Sequence, residues 1–435
     1  MVKNWSKALL RFAPNPKTMI KLILFPILFL CLPIAAKETK IKPLPVSTPG
    51  EVGMSPEVLA KIDPALEGLI EKKKLSGGSV LILREGKIVY QKQFGHANRT
   101  AKVPMKKDTI FRIYSMTKAI TSAAALMLYD EKKITLDDPI TKFLPEFALL
   151  NVWQRKGDPT PAEPLPTIRD LLRHTAGFSY GWSGHPVDRF YQRSQPLDRD
   201  KTLAEMSRSI CGAPLLFQPG TKWNYGISTD ILGRVVEVAS GQTFDEFLQK
   251  HFFAPLGMSD TGFYVPAEKA HRLADVYQTN GIFLTTSEPG KTSPFLKKPA
   301  NFSGGGGLIS TINDYARFLQ MIANGGNFQG KQYLKEETVK LMTTNQLPDE
   351  IGSISLGEQR HGTGFGLGFS VRVAPDKRWD KDSVVGEYGW GGMASTHYWI
   401  SPKHKLVVVT MEQTLPYNWN LEHLLKPIIY QAIKE

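Results

Sequence analysis

The sequence predicts an α+β fold: an antiparallel sheet flanked by N- and C-terminal helices, with a mostly helical domain inserted between the two parts that build the sheet. Three features point there. Strand-like runs lie near the start ("GSVLILREGKIVYQKQFG") and again near the end ("GFGLGFSVRV", "MASTHYWISP", "KLVVVTMEQ"). Residues 130–299 instead carry helical spacing, broken by long Pro/Gly-rich loops such as "RKGDPTPAEPLPT". Residues 420–435, "NLEHLLKPIIYQAIKE", close the chain with a helical pattern.

With 435 residues and 42% hydrophobic content, the chain can bury a large core. Residues 37–53, rich in Pro and Lys, read as a linker. In "SPEVLAKIDPALEGLIEKKKL", Ser55 suits an N-cap and Pro56 the first turn, while Val58, Leu59, Ile62, Leu66, Leu69 and Ile70 share a face. Two strands around a Glu-Gly turn then make a hairpin. "TIFRIYS" is an extended segment that feeds directly into the helix of "YSMTKAITSAAALML". The inserted region contributes "TIRDLLRHT", "TDILGRVVEVASG" and "TFDEFLQKHFF", and "SGGGGLISTINDYARFLQMIANGG" leads back to the sheet. The sheet domain is thus expected from residues 54–129 and 300–435.

Of the formal charge of +13, five cations and no acid fall in residues 1–36, which leaves 49 Lys+Arg against 41 Asp+Glu. That remainder is scattered, with no basic stripe interleaved with aromatics, which argues against nucleic acid as a partner. Leu22–Ala36, "LILFPILFLCLPIAA", is an uncharged run behind a basic stretch and ahead of "KETK". It has the three-part form of a secretory signal peptide ending at Ala36, too short and too rich in proline for a permanent span. The expectation is a secreted or periplasmic protein, with membrane or envelope association if the signal stays uncleaved. Cys211 alone then remains in the mature chain, so an internal disulfide is not expected. Neither metal-ligand spacing nor a cofactor motif is found. The glycines 304–307 lack the Lys-Ser/Thr pair of a phosphate loop and read as room for close backbone approach.

Two serines compete as nucleophile. Ser179 lies in "GFSYG", a match to G-x-S-x-G, but a nucleophile elbow needs a strand before the serine and a helix after it. Here a helical pattern precedes and a loop follows, so the segment reads as a helix end and turn. Ser115 has the opposite setting, an extended segment and then a helix start. Free N–H groups there favour negative charge, and Lys118 falls one turn on, on the same face. Partial burial of that amine would make it able to take the serine proton. His174 and His397 also read as structural, the first at a helix end and the second within a strand pattern.

"YSMTK", "TIRDLLRHTAGF", "FQPGTKWNYGISTDILGRVVEVASG", "HFFAPLGMSDTGF", "GGGGLISTINDYARFLQMIANGG" and "GFGLGF" stand in a fixed order. In this order the chain resembles the serine β-lactamase and penicillin-binding protein superfamily. It is most similar to the class C β-lactamase-like branch with its serine carboxylesterase members, over about residues 55–430. The resemblance implies the β-lactamase/transpeptidase-like fold, Ser115 as acylated nucleophile, Lys118 as its basic partner and Tyr225 as the phenol that passes the proton. It implies an oxyanion hole from the backbone N–H groups of Ser115 and Met393. No metal and no cofactor are implied.

Two departures bear on substrate. Ile227 stands where β-lactamases and peptidases of the superfamily usually carry Asn. Trp390-Gly391-Gly392 replaces a motif that usually begins with Lys or His. An indole cannot hold a substrate carboxylate as a full charge does, so Trp390, Gly391, Gly392 and Ile227 are expected to frame a pocket for a neutral, apolar ester. The leading expectation is hydrolysis of a small-molecule ester. The alternatives are a β-lactamase or D-alanyl-D-alanine carboxypeptidase taking β-lactam-like substrates, and a non-catalytic cell-wall-binding protein on the same fold.

Overall fold

The computed structural model describes residues 41–434 apart from 377 and 379, and of Glu358 only the backbone. The expected signal, residues 1–36, lies outside the described residues. No helix among the described residues is long and apolar enough to cross a membrane.

β1 (Gly77–Arg84) and β2 (Lys87–Asn98) form the hairpin read from the sequence. Glu85 and Gly86 in its turn both have positive φ, 53° and 76°, the tight-turn geometry that matches strand twist. After the short β3 (Val103–Pro104), the sheet resumes only near the C-terminus. There it gains β4 (Thr363–Phe365), β5 (Ser370–Arg372), β6 (Tyr388–Gly392), β7 (Thr396–Ser401) and β8 (Leu406–Glu412). The order is β4-β5-β6-β7-β8-β1-β2-β3, and every neighbouring pair is antiparallel. β1 is central: Leu81 faces Val409 on one side and Gln91 on the other, so the first and last long strands are held together.

Alternation along β1 and β8 builds a core on each face. Val80, Ile82 and Val408 pack with Leu66 of helix α1 (Ile62–Glu71) and with the C-terminal helix. Leu81, Leu83, Val407 and Val409 join the larger cluster, which reaches helix α2 (Thr117–Asp130), through α3 (Ile168–Leu172) and α4 (Ser228–Ser240), to α5 (Ile312–Ala323). α6 (Asn420–Ala432) closes the chain. Sheet and inserted region therefore share the larger of these cores.

Three local readings change. The first helical pattern splits into Pro56–Leu59 and α1, because Pro64 has no N–H to donate and a helix must restart ahead of it. The described part of the stretch expected as linker runs along the sheet: Leu44 and Val52 are buried, and Val46 bridges Ile88. The inserted region also holds strands, Val276–Thr279 and Leu284–Glu288, which pair with each other, and the first of them also pairs with Thr414–Leu415.

Glu412 ends β8 fully buried. Its Oε2 accepts a hydrogen bond from Thr414 Oγ1 (2.7 Å), yet burial pushes its carboxyl from the ordinary 4.5 up to about 8. The folded state thus keeps a proton that the unfolded chain releases above about pH 4.5, so stability falls as pH rises through this window. Urea unfolding of the wild type and Glu412→Gln side by side is expected to isolate this contribution: the stability difference between the two proteins shifts against the wild type by more than about 1 kcal/mol from pH 5 to pH 8.

Candidate active site

The nucleophile turn is anchored before it begins. Phe111–Arg112 pairs with Ile309–Ser310, and fully buried Arg112 donates to Ala274 O (2.7 Å) and contacts Glu288 at 2.6 Å. Tyr114 then takes φ 43°, the left-handed region that costs a non-glycine residue of order 1 kcal/mol. Its ring meets Phe295 edge-on at 6.3 Å. Ser115 sits in the 3-10 turn Tyr114–Met116 that this kink creates, one turn ahead of α2 rather than inside it.

Lys118 is 2% exposed. Its Nζ donates to Ser115 Oγ (3.3 Å), to Tyr180 Oη (2.9 Å) and to Gly305 O (2.6 Å). Three N–H bonds thus meet three acceptors, the arrangement that makes burial of an ammonium tolerable. Beneath it, Asp230, with no exposed surface, accepts from Ser303 Oγ (2.5 Å), Gly305 N (3.0 Å) and Tyr180 Oη (3.3 Å). Burial, followed by the charge of Asp230, holds the Tyr180 phenol well above its usual range. Tyr180 and Asp230 were not singled out in the sequence. The available signal was an acid on the apolar face of "STDILGRVVEV", where burial demands a partner.

Tyr225 precedes α4 by three residues. Its hydroxyl accepts from Trp390 Nε1 (3.3 Å), and Lys118 Nζ lies 4.7 Å from its ring centroid. His174, Trp223 and Tyr180 pack around the ring at 5.0–6.2 Å. Trp390, Gly391 and Gly392 form the end of β6, and a Cβ on Gly392 would lie 2.3 Å from Ile113 O, so the strand presses directly on the nucleophile turn. Ser115, Tyr225, Trp390, Gly391, Gly392 and Met393 line one cavity of about 450 Å³. Another groove, about 590 Å³ and bordered by Asp245, Asp260 and Phe263, contains none of these residues.

Ile227 does not belong to this wall. It is fully buried in the main core at the start of α4, because the chain must turn inward there to seat the helix. The other serine is also explained: Ser179 is 2% exposed and its Oγ donates to Asp188 (2.6 Å), closing a turn. His174 lies 3.5 Å from Thr229 Oγ1, and burial lowers its pKa far enough to keep it neutral. His397, tilted against the rings of Tyr417 and Trp419, is pushed down to about 3 by burial.

A Cβ on Gly305 would come within 2.1 Å of Asp230 Oδ2 and 2.6 Å of Tyr180 Oη. Gly305→Ala must displace the acceptor of Lys118. Hydrolytic turnover is expected to drop by about a hundredfold or more, while circular dichroism stays native. An active Gly305→Ala protein would show that the contact is dispensable.

A sequence model of the family described as "Beta-lactamase" matches residues 62–427. The chain is 34% identical to Protein Rv1367c of Mycobacterium tuberculosis over 79% of its length and 86% of the relative's. It is 30% identical to Esterase EstB of Burkholderia gladioli over 82% and 90% of the two chains. Among solved structures, EstCE1, described as a hydrolase with promiscuous acyltransferase activity, superposes with a TM-score of 0.74 at 25% identity, covering 86% of this chain and 99% of that one. The fold, the motif order and these likenesses agree: the chain belongs to the β-lactamase family and is a serine hydrolase with the β-lactamase/transpeptidase-like fold.

Proposed function

We propose that this protein hydrolyses carboxylic esters through a covalent acyl-enzyme on Ser115. The observation that carries the reading is one cavity wall shared by Ser115, in contact with buried Lys118, and by Tyr225 and the end of β6. Ser115 Oγ attacks the ester carbonyl carbon, and its proton passes to Tyr225 while Lys118 donates to the serine oxygen. The oxygen gains negative charge facing the backbone N–H groups of Ser115 and Met393, donors that typically matter by several kcal/mol. The bond to the alcohol breaks as Tyr225 protonates the departing oxygen. Water, giving its proton to Tyr225, then attacks the acyl-serine. The carboxylic acid leaves and the proton returns to Ser115.

Tyr180 is unsuited to this exchange, because burial and Asp230 keep its phenol protonated. It holds Lys118 in place instead. The likeness to proteins named esterase supports an ester substrate, as does the indole of Trp390 where a cation would grip a peptide. We also place the enzyme outside the cytoplasm, on the strength of the basic and then apolar run in residues 1–36.

Incubation with 4-nitrophenyl butyrate and with a chromogenic cephalosporin tests the assignment. Ester turnover is expected to fall by about 10⁴-fold in Ser115→Ala and about 10²-fold in Tyr225→Phe, and to persist in Ser179→Ala. Fast cephalosporin hydrolysis with little ester turnover would overturn it.

A further inference from the structure

Ser179 and Asp188 have no part in the proposed reaction, yet both are buried and bonded to each other. Asp188 accepts from Ser179 Oγ (2.6 Å), Ser183 Oγ (2.9 Å) and His185 N (3.1 Å). One carboxylate thus ties down both ends of the turn 179–183. Ser179 Oγ also accepts from Gly181 N (2.9 Å), and the Ser179 N–H donates to Tyr191 Oη (3.2 Å). Gly181 takes φ 81°, and a Cβ there would lie 2.9 Å from Tyr191 Cβ, so the turn is pressed onto the helix Asp188–Ser194. Two rings leave this clamped turn. Tyr180 goes inward to Lys118, and Trp182 stays 68% exposed. The fold therefore fixes an exposed indole in one place.

Trp182 lies nearly parallel to the Tyr180 ring, at 4.7 Å between centroids and 12° between planes. Tyr180 bonds Lys118 (2.9 Å), which bonds Ser115 (3.3 Å), so the indole is three contacts from the nucleophile. It borders the cavity of Ser115, about 450 Å³, and also a second cleft of about 380 Å³ that contains none of Ser115, Lys118 and Tyr225. Tyr180 and Leu197 are the other residues common to both walls. Tyr180 is committed to Lys118 and Leu197 packs on the main core, which leaves Trp182 as the part of the wall with no second task. In the second cleft, buried Tyr191 and Pro196 give an apolar floor, and exposed Gln192, Gln195 and Asp198 form the rim.

We propose that Trp182 is the partition that sets the length of the acyl group, and that the cleft beyond it is an acyl subsite which the indole closes off. The inference rests on the acyl-enzyme reading above. The side follows from Tyr225, the group assigned to the departing alcohol, whose hydroxyl is reached by Trp390 Nε1 (3.3 Å). Trp182 instead stacks on Tyr180, on the Lys118 flank of Ser115. A short acyl group on Ser115 stays within the first cavity. A longer aliphatic chain meets the indole, and each methylene it cannot bury forfeits transfer energy.

The test compares 4-nitrophenyl octanoate with 4-nitrophenyl butyrate, which share an alcohol and differ only in the acyl chain. The octanoate-to-butyrate ratio of kcat/KM is expected to rise by about tenfold or more in Trp182→Ala, as two further buried methylene groups would give. It is expected to stay near the wild-type value in Trp182→Phe. Gln192→Trp, added to Trp182→Ala, fills the second cleft from a position that does not border the first, and is expected to bring the ratio back down. Because each ratio is taken within one protein, loss of folded enzyme cancels. A ratio unmoved by Trp182→Ala, or a raised one that Gln192→Trp does not lower, overturns the partition while leaving the esterase reading intact. Absence of wild-type turnover with both esters overturns the two readings together.

Discussion

The structure turns on one constraint, an amine buried to 2% exposure beside a serine. A lysine there is tolerable only if all three of its N–H bonds find acceptors, and the rest of the site is arranged to provide them. Gly305 must offer a carbonyl at 2.6 Å, which forbids a side chain on the glycine loop. Tyr180 must offer a hydroxyl at 2.9 Å, which is held by Asp230 in turn. Asp230 is oriented by Ser303 and by the Gly305 N–H. Three segments far apart in the chain are thus bound to α2 by one cation. Because the third acceptor is Ser115 Oγ, the arrangement that makes the lysine tolerable also places it on the nucleophile.

The sheet provides the opposing wall. β6 can press on the nucleophile turn because Gly391 and Gly392 leave its end without side chains, and a Cβ on either would meet atoms within 3 Å. That edge is positioned through β7 and β8 by β1, the strand that unites the two ends of the chain. Sheet closure by the C-terminus is therefore part of forming the site: without β8 against β1, the strand that carries Trp390 and leads into Met393 has no fixed distance from Ser115.

Much of this was legible in the sequence, and the boundary has a physical cause. Two-residue alternation is a local signal, so both halves of the sheet and their antiparallel character could be read directly. The Ser115–Lys118 relation is equally local, since three residues on a helix fix a face. Tyr225 needed the motif order, because nothing in its own neighbourhood separates a working phenol from a packed aromatic. Tyr180 shows the limit best. "GFSYG" drew attention for its serine, which only closes a turn on Asp188, while the adjacent tyrosine carries the contact to Lys118. Residue type could not choose between them, because the choice depends on which side chain the turn directs inward. Ile227 failed for the same reason, as it faces the core rather than the cavity.

Arg360, which also borders the cavity of Ser115, lay beyond local reading for a different reason. Its partners Trp390, Trp419 and Tyr417 are 30 to 59 positions away, and the loop that carries it has no periodicity of its own. Replacing a cation by Trp390 on β6 does two things that a lysine cannot. The indole N–H donates to Tyr225, and the ring offers a face on which a guanidinium can lie. The bond-breaking groups are fixed by the burial demands of Lys118 and tolerate little change. In this chain, that constraint is why the reaction class can be read from a five-residue motif, whereas the make-up of the cavity wall emerges only in the folded structure.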